Sequence, residues 1–120
     1  MSTERFLDPQ ILIETITKTK IITKMEKDLF VRWKIRETEM QRILDLLPLL
    51  VEKTRNEVGN LSYNIYQSND DANVLILHER YTDADAVEVH KTSAHYQEIV
   101  ETQIIPHLEF REVTSSKKLY

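Results

Sequence analysis

One short stretch of the sequence holds most of its candidates for chemistry. Residues 78–100, HERYTDADAVEVHKTSAHYQEIV, contain three of the four histidines of the chain, a glutamate within a predicted strand and two tyrosines. Imidazole and carboxylate groups are common general acids and bases, and a tyrosine hydroxyl can stabilise an oxyanion. Glu79, Tyr81, His90 and His95 are therefore the candidate catalytic residues.

Glu79 stands at the end of an apolar stripe. Alternation along the strand places it on the same face as Leu75, Leu77 and Tyr81, while His78 faces the other way and is expected in a subunit interface. A buried carboxylate needs a hydrogen-bond donor or a cation, or else its pKa rises. A structural ion pair and a role as general base or ligand anchor both fit this position.

The spacing of His90 and His95 leaves their relation open. On one unbroken helix, five residues would separate the two rings by about 140°, whereas metal ligation from one helix uses a spacing of three or four. Thr92 and Ser93 are expected to break the helix, so the rings could converge across the bend. Alternatively, one histidine donates to a backbone carbonyl and the other faces water. No metal and no cofactor are expected.

Three residues outside this stretch are weaker candidates for substrate binding. Trp33 belongs to an apolar strand stripe and is expected in the core, so it would touch a substrate only if it lines the same cavity as Tyr81. Asn64 and Tyr66 share one face of another strand, where they either bind a ligand or face water.

The periodicity of apolar residues predicts the elements that position these groups. Period-two alternation predicts strands at 28–36, 60–68, 74–81 and 108–113. A helix follows the first strand, with a capping box at Thr38 and Gln41, a kink or break near Leu47 caused by Pro48, and an end at Gly59. After the third strand, Thr82 and Asp85 cap one helix, and Ser93 caps a second helical piece that Pro106 ends.

This order of elements predicts an α+β fold of the ferredoxin-like βαββαβ type, with a four-stranded antiparallel sheet and two helices on one face. Val74 and Ile76 would lie on the open face, so we expect a homodimer packed sheet to sheet. The domain should span 28–114. Residues 1–27 are expected to form an extended arm, which adds to the sheet or to the partner subunit, and 115–120 a polar tail.

Composition excludes several classes of function. The chain has 120 residues, a net charge of −4, no cysteine and one glycine. One domain is expected, without disulfides, thiolate zinc sites or phosphate-binding loops. The acidic body disfavours nucleic acid as a partner, and no apolar run reaches the ~20 residues of a membrane helix. We expect a cytoplasmic protein that acts on a small molecule.

Two segments together carry a family resemblance. VGNLSYNIYQS and LHERYTDADAVEVHKTSAHYQEIV resemble the antibiotic biosynthesis monooxygenase (ABM) family, over about 28–113. The stretch His90–Tyr96 is most similar to autoinducer-2-degrading isomerases and quinol monooxygenases of that family. The resemblance implies a dimeric α/β barrel with a small-molecule cavity between sheet and helices. The residues that fall on the family pattern are Glu79, Tyr81, His90, Ser93, His95 and Tyr96.

The resemblance also indicates which activities to expect. It implies a cofactor-independent monooxygenase that oxidises quinol-like or hydroxyaromatic metabolites with O₂. The alternatives are an isomerase of a small phosphorylated hydroxy-dione, for which Lys91 would suit the phosphate, and a non-catalytic small-ligand-binding protein. Both reactions begin with proton abstraction, so the same residues serve either. Tyr96 joins the substrate-binding candidates. Haem is not expected, since Val100 falls near the position of the iron-ligating histidine in haem-degrading relatives.

Overall fold

The computed structural model describes residues 25–120, and the predicted arm lies outside the described residues except for its last three positions. The strands are β1 (Lys27–Ile35), β2 (Asn60–Gln67), β3 (Val74–Tyr81) and β4 (Leu108–Ser116). The helices are α1 (Met40–Arg55) and α2 (Ala84–Thr92), followed by a π-helix over Tyr96–Ile104. Short 3₁₀ turns cover Glu37–Glu39 and Ile105–His107.

The four strands form one antiparallel sheet in the order β2-β3-β1-β4. This is the predicted ferredoxin-like α+β fold, with the helices packed on one face. We name that face the inner face and the opposite one the outer face. Trp33 lies opposite Leu75 on one side and Arg111 on the other, so these three residues share the inner face.

The core lies between the inner face and the helices. Its fully covered side chains include Ile35, Leu77, Ile43, Leu50 and Ile104. Helix α1 runs without interruption through Pro48, so a break near Leu47 is not observed. Proline removes one hydrogen bond and costs about 3 kcal/mol inside a helix. Burial of Ile43 and Leu50 on either side offsets that cost, which explains why the helix continues.

Two predicted caps are wrong, and one is confirmed. Thr38 lies inside a 3₁₀ turn, and no side chain caps the start of α1. Asp83, not Thr82, caps α2, because its extended backbone lets its carboxylate accept a hydrogen bond from the Ala86 N–H at 2.8 Å. Ser93 accepts a hydrogen bond from the Tyr96 N–H at 3.2 Å, as expected for a cap.

The outer face is only partly open. Val74 is 1% exposed within the single chain, so the expectation that it needs a partner for cover is wrong. Phe30, Tyr66 and Phe110 are about half exposed there, and the sheet-to-sheet homodimer stays a prediction. Strand β4 continues to Ser116, three residues beyond its predicted end, and pairs with β1 as far as Asp28. Within 25–120, no helix has the length and apolarity needed to cross a membrane.

Candidate active site

A tight loop after α1 places Glu57 beneath α2. Helix α1 ends at Arg55 with Asn56 as its C-cap, and the Glu57 N–H donates to the Thr54 carbonyl at 3.0 Å. Gly59 lies between the end of α1 and the start of β2, as predicted, but without a left-handed conformation, since positive φ angles are absent from the described residues. It is needed for close approach instead: a Cβ at Gly59 would lie 2.4 Å from the Ala86 Cβ. The glycine therefore brings α2 down onto the loop that carries Glu57.

His90 and His95 converge on that glutamate. His90 Nδ1 lies 2.8 Å from Glu57 Oε2, and His95 Nε2 lies 2.5 Å from the same oxygen. The bend between the two histidines is fixed by Ser93, whose hydroxyl donates to the His90 carbonyl at 2.6 Å. The predicted break at Thr92-Ser93 is confirmed, and it brings together two rings that one straight helix would separate. We name Glu57, His90 and His95 the inner cluster.

Glu79 and Tyr81 lie on the other side of the His90 ring. The Tyr81 hydroxyl donates to Glu79 Oε1 at 2.7 Å, and His90 Nε2 lies 3.8 Å from that carboxylate oxygen. The predicted orientation of Glu79 on the face of Leu77 and Tyr81 is confirmed. The His90 ring is 3% exposed and packs against the rings of Tyr63, Tyr81 and Tyr96, with centroids 5.0–5.8 Å apart. Its position is therefore fixed on all sides.

Burial governs the protonation of these groups. It raises the pKa of Glu79, although the hydrogen bond from Tyr81 and the nearby His90 act in the opposite direction. Burial also raises the pKa of Tyr81, and the negative charge of Glu79 adds to the effect. The pKa of Tyr96 is raised by burial and lowered in part by Arg111. The tyrosines consequently stay protonated at neutral pH and act as hydrogen-bond donors.

A small cavity of about 40 Å³ lies between the inner face and the helices. Its wall includes Trp33, Tyr63, Glu79, His90, Tyr96 and Arg111. This volume holds a few water-sized molecules, whereas pockets for organic ligands usually measure about 300–1,000 Å³. Arg111 is exposed and donates to the Tyr96 hydroxyl at 3.3 Å, so these two side chains form the rim of the cavity.

Five of the nine candidates line this cavity, namely Trp33, Glu79, His90, Lys91 and Tyr96, whereas Tyr81, His95, Asn64 and Tyr66 do not. Trp33 is 2% exposed, and its Nε1–H has no acceptor among the described residues. The cavity wall therefore includes a hydrogen-bond donor that a ligand could use. Lys91 lies at the exposed edge of the cavity and pairs with Glu88 at 3.5 Å. Asn64 and Tyr66 lie on the outer face, because they pair with His78 and Ile76 of β3. The structure therefore does not bring these last two to the cavity.

Glu57, Tyr63 and Arg111 are the polar site residues that the sequence did not reveal. Glu57 contacts histidines 33 and 38 positions further along the chain, which no local pattern encodes. The available signal is weak: an acidic residue in a helix-to-strand loop, two positions before the only glycine. Arg111 could have been found from strand alternation, since it shares the inner face with Val113.

The outer face carries a second polar cluster with similar residues. His78 Nε2 lies 2.8 Å from Asp28 Oδ1, and the Arg80 Nε lies 3.3 Å from the same oxygen. The His78 ring stacks on Phe30 with centroids 4.5 Å apart. We name Asp28, His78 and Arg80 the outer cluster. It borders an open groove of about 330 Å³, and its His78 and Arg80 side chains are 31% and 34% exposed.

Comparison with known proteins agrees with the fold. The α+β architecture, with the helices on one face of a four-stranded antiparallel sheet, defines a ferredoxin-like domain. Residues 29–102 match the model of the antibiotic biosynthesis monooxygenase family, and the chain belongs to that family. YcnE of Bacillus subtilis, which carries a provisional monooxygenase name, is 27% identical over 67 residues, covering 56% of this chain and 70% of YcnE.

Solved structures give the same result. Rv0793 from Mycobacterium tuberculosis superposes with a TM-score of 0.73 and is 29% identical, covering 79% of this chain and 96% of Rv0793. A solved antibiotic biosynthesis monooxygenase superposes with a TM-score of 0.74 at 23% identity, covering 78% of this chain and 99% of that protein. The second likeness concerns the fold alone.

Proposed function

We propose that this protein is a cofactor-independent monooxygenase that uses O₂ to oxidise small quinol-like or hydroxyaromatic metabolites. The observation that carries the proposal is the contact of 2.8 Å between Glu57 and His90, the latter of which lines the cavity. A carboxylate that accepts from Nδ1–H leaves Nε2 as the basic nitrogen of a neutral imidazole. His90 is then a general base of fixed orientation, and Glu57 is the residue that positions it.

The chemistry requires a substrate that supplies its own electrons. His90 Nε2 removes the phenolic proton, and the electron-rich phenolate reduces O₂ and forms a carbon–oxygen bond with it. Loss of water from the resulting peroxide gives the quinone, so that phenol and O₂ yield quinone and H₂O. Tyr96 and Arg111 lie at the rim, where a hydroxyl and a guanidinium can stabilise the phenolate oxygen.

Access to the base requires the rim to open. The cavity of about 40 Å³ is smaller than an aromatic substrate, and the Arg111–Tyr96 contact of 3.3 Å closes its exposed side. Because Arg111 is exposed, its side chain can turn toward solvent, and this opening breaks only its hydrogen bond to the Tyr96 hydroxyl. A closed pocket also excludes water from the reactive carbanion-like intermediate, which protects it from side reactions.

Oxygen consumption tests the proposal directly. The chelator-treated protein is assayed with a panel of reduced quinols and hydroxyaromatics, and His90→Gln is compared with the parent chain. Glutamine can still donate to Glu57 but cannot take the proton, so the rate should fall by about 10²-fold or more. His78→Gln is the matched control, because His78 also contacts a carboxylate at 2.8 Å but lies on the outer face.

The two variants separate the possible outcomes. Loss of O₂ uptake in His90→Gln alone, with an unchanged circular dichroism spectrum, supports the proposal. An unchanged rate in His90→Gln, or an equal loss in His78→Gln, would contradict the role of His90. No uptake by the parent chain with any substrate of the panel would contradict the oxygenase activity.

The two cations at the cavity edge favour a second candidate. Lys91 and Arg111 both border the cavity, so they could bind the phosphate of a small phosphorylated hydroxy-dione. His90 would then move a proton between carbons adjacent to the carbonyl groups, without O₂. Lys91→Ala should raise KM for such a substrate, and Lys53→Ala, at an exposed position of α1, is the control. Binding without turnover of either substrate class would indicate a small-ligand-binding protein.

A further inference from the structure

The chemistry of the inner cluster extends beyond proton transfer. Glu57, His90 and His95 each offer one ligand atom, and the three atoms lie within 4.8 Å of one another. Two imidazole nitrogens and one carboxylate oxygen form the ligand set of His₂Glu zinc sites. We propose that these three residues bind a divalent transition-metal ion of the zinc type.

The distances suit such an ion after a small adjustment. Zinc lies about 2.0–2.2 Å from nitrogen and oxygen ligands in tetrahedral geometry, so its ligand atoms stand roughly 3.4 Å apart. The two nitrogens now lie 2.8 and 2.5 Å from Glu57 Oε2. An ion between the three atoms requires these two nitrogen–oxygen distances to lengthen by about 1 Å or less. Movement of the Glu57 carboxylate and of the partly exposed His95 side chain can supply this change while the His90 ring stays in place.

The Glu57 carboxylate gives an independent sign of a missing partner. Its side chain is 8% exposed, and Oε1 is buried with no hydrogen-bond partner among residues 25–120. A buried carboxylate oxygen without a donor is costly, because its lost hydration is not replaced. The opposite oxygen, by contrast, is shared by two histidines. A cation held by this carboxylate would supply the positive charge that Oε1 lacks.

The residues around the inner cluster hold its ligands in position before a metal binds. Gly59 and Ser93 fix the loop and the bend that carry the ligands. When a metal takes His90 Nδ1, the ring proton stands on Nε2, which lies 3.8 Å from Glu79 Oε1. A metal-bound histidine usually donates the N–H of its other ring nitrogen to a carboxylate, a backbone carbonyl or a water molecule. The His95 side chain is 14% exposed, so it provides the route by which an ion enters.

The ligand types select the class of ion. Imidazole nitrogen suits Zn²⁺, Cu²⁺ and Ni²⁺, whereas Mg²⁺ and Ca²⁺ prefer sites made of oxygen atoms alone. The five-residue spacing of His90 and His95 would be unfavourable on one straight helix, but the bend at Ser93 removes that objection. The third ligand, Glu57, comes from a different part of the chain.

Metal binding would act on the proposed reaction as an inhibitor. This consequence depends on the oxygenase proposal, since it concerns His90 as the base. With the metal on Nδ1 and the proton on Nε2, the imidazole has no free lone pair to accept the substrate proton. Zn²⁺ should therefore suppress O₂ uptake with the same midpoint as its binding, and chelation should restore the activity.

Isothermal titration calorimetry with ZnCl₂ tests the site without any substrate. The full chain, freed of metal by chelator and exchanged into chelator-free buffer, should bind one equivalent, with no heat from MgCl₂. His95→Ala should weaken binding by at least about 100-fold, because even changes outside the ligand shell cost 10–100-fold. Cobalt(II) should give the visible absorption of a tetrahedral site in the parent and not in the variant. His78→Ala is the control and should bind as the parent does.

Each result has a definite meaning for the site. Absence of Zn²⁺ binding by the parent, or unchanged affinity in a folded His95→Ala variant, overturns the metal site. If His95→Ala does not fold, Glu57→Gln is used, for which the same loss of affinity is expected and an unchanged affinity overturns the site. Zinc binding without inhibition of O₂ uptake leaves the metal site in place and contradicts His90 as the base.

Discussion

Two carboxylate–histidine pairs, one on each side of the sheet, have the same length but different surroundings. Glu57–His90 and Asp28–His78 both measure 2.8 Å. The histidine of the inner pair is 3% exposed, and that of the outer pair is 31% exposed. When a partly exposed ion pair is broken, water can form hydrogen bonds with the separated groups. When a buried pair is broken, the remaining polar group has no such replacement. Burial rather than distance therefore identifies the inner cluster as the candidate site.

The largest difference is expected when each histidine is truncated. His90→Ala removes a ring packed against three tyrosines and deprives Glu57 of a buried donor, so the free energy of unfolding should fall by roughly 3–4 kcal/mol. His78→Ala should cost less than about 1 kcal/mol. Urea denaturation followed by circular dichroism measures both values. Equal losses would show that burial does not distinguish the two clusters.

The second largest loss of stability is expected from a substitution in the loop that contains Glu57. Gly59→Ala places a Cβ against Ala86, so the free energy of unfolding should fall by about 1–3 kcal/mol. In an Ala86→Gly background the clash is absent, and the added cost of Gly59→Ala should become small. Four unfolding curves form the required cycle. A cost of Gly59→Ala that is the same in both backgrounds would contradict the close approach as its cause.

Removing one tyrosine hydroxyl from each face of the sheet should give a smaller difference in stability. Tyr81→Phe leaves Glu79 without its donor at 2.7 Å and should cost about 1–2 kcal/mol in a urea unfolding experiment at pH 7. Tyr66→Phe changes a side chain that is 56% exposed and should stay within about 0.5 kcal/mol of the parent. A neutral effect of Tyr81→Phe would show that the hydrogen bond to Glu79 does not stabilise the fold.

The smallest effect is expected for an exposed ion pair on the outer side. The pKa of Asp71 is lowered by the hydrogen bond from the Asn73 N–H and by Lys34, which lies 3.3 Å away. A lowered pKa contributes stability above the ordinary value of 3.8, and this contribution is lost as the pH falls toward the lowered value. Asp71→Asn should therefore lower the Tm slightly at pH 6, and the difference should shrink at pH 3.

The sequence predicted the sheet well because alternation records burial on two faces. Strand β3 has the predicted bounds of 74–81, and Glu79 and Tyr81 lie where their alternation places them. The course of α1 was harder to predict, because tertiary packing on both sides of Pro48 outweighs the local preference of proline. Helical periodicity also gave no sign that Tyr96–Ile104 forms a π-helix.

The candidate site could be predicted only in part, for a related reason. His90, His95 and Glu79 stand out as polar groups at structured positions, and Ser93 signals the bend between the histidines. Glu57 gives no such signal, because its role depends on how closely α2 approaches the loop. That approach is set by the absence of a side chain at Gly59. A contact of this kind follows from three-dimensional packing and not from local spacing.

The π-helix places a constraint on chain length. The Ile105 N–H donates to the Val100 carbonyl, five residues back, and the Thr102 hydroxyl reaches the Gln97 carbonyl, again five back. Such wider turns are uncommon and often accompany functional sites. Deleting one residue here would allow a regular α-helix but would turn Tyr96 by about 100° relative to Ile104. Insertions and deletions in this segment should thus be less tolerated than substitutions, since the number of residues, more than their identity, keeps Tyr96 at the cavity.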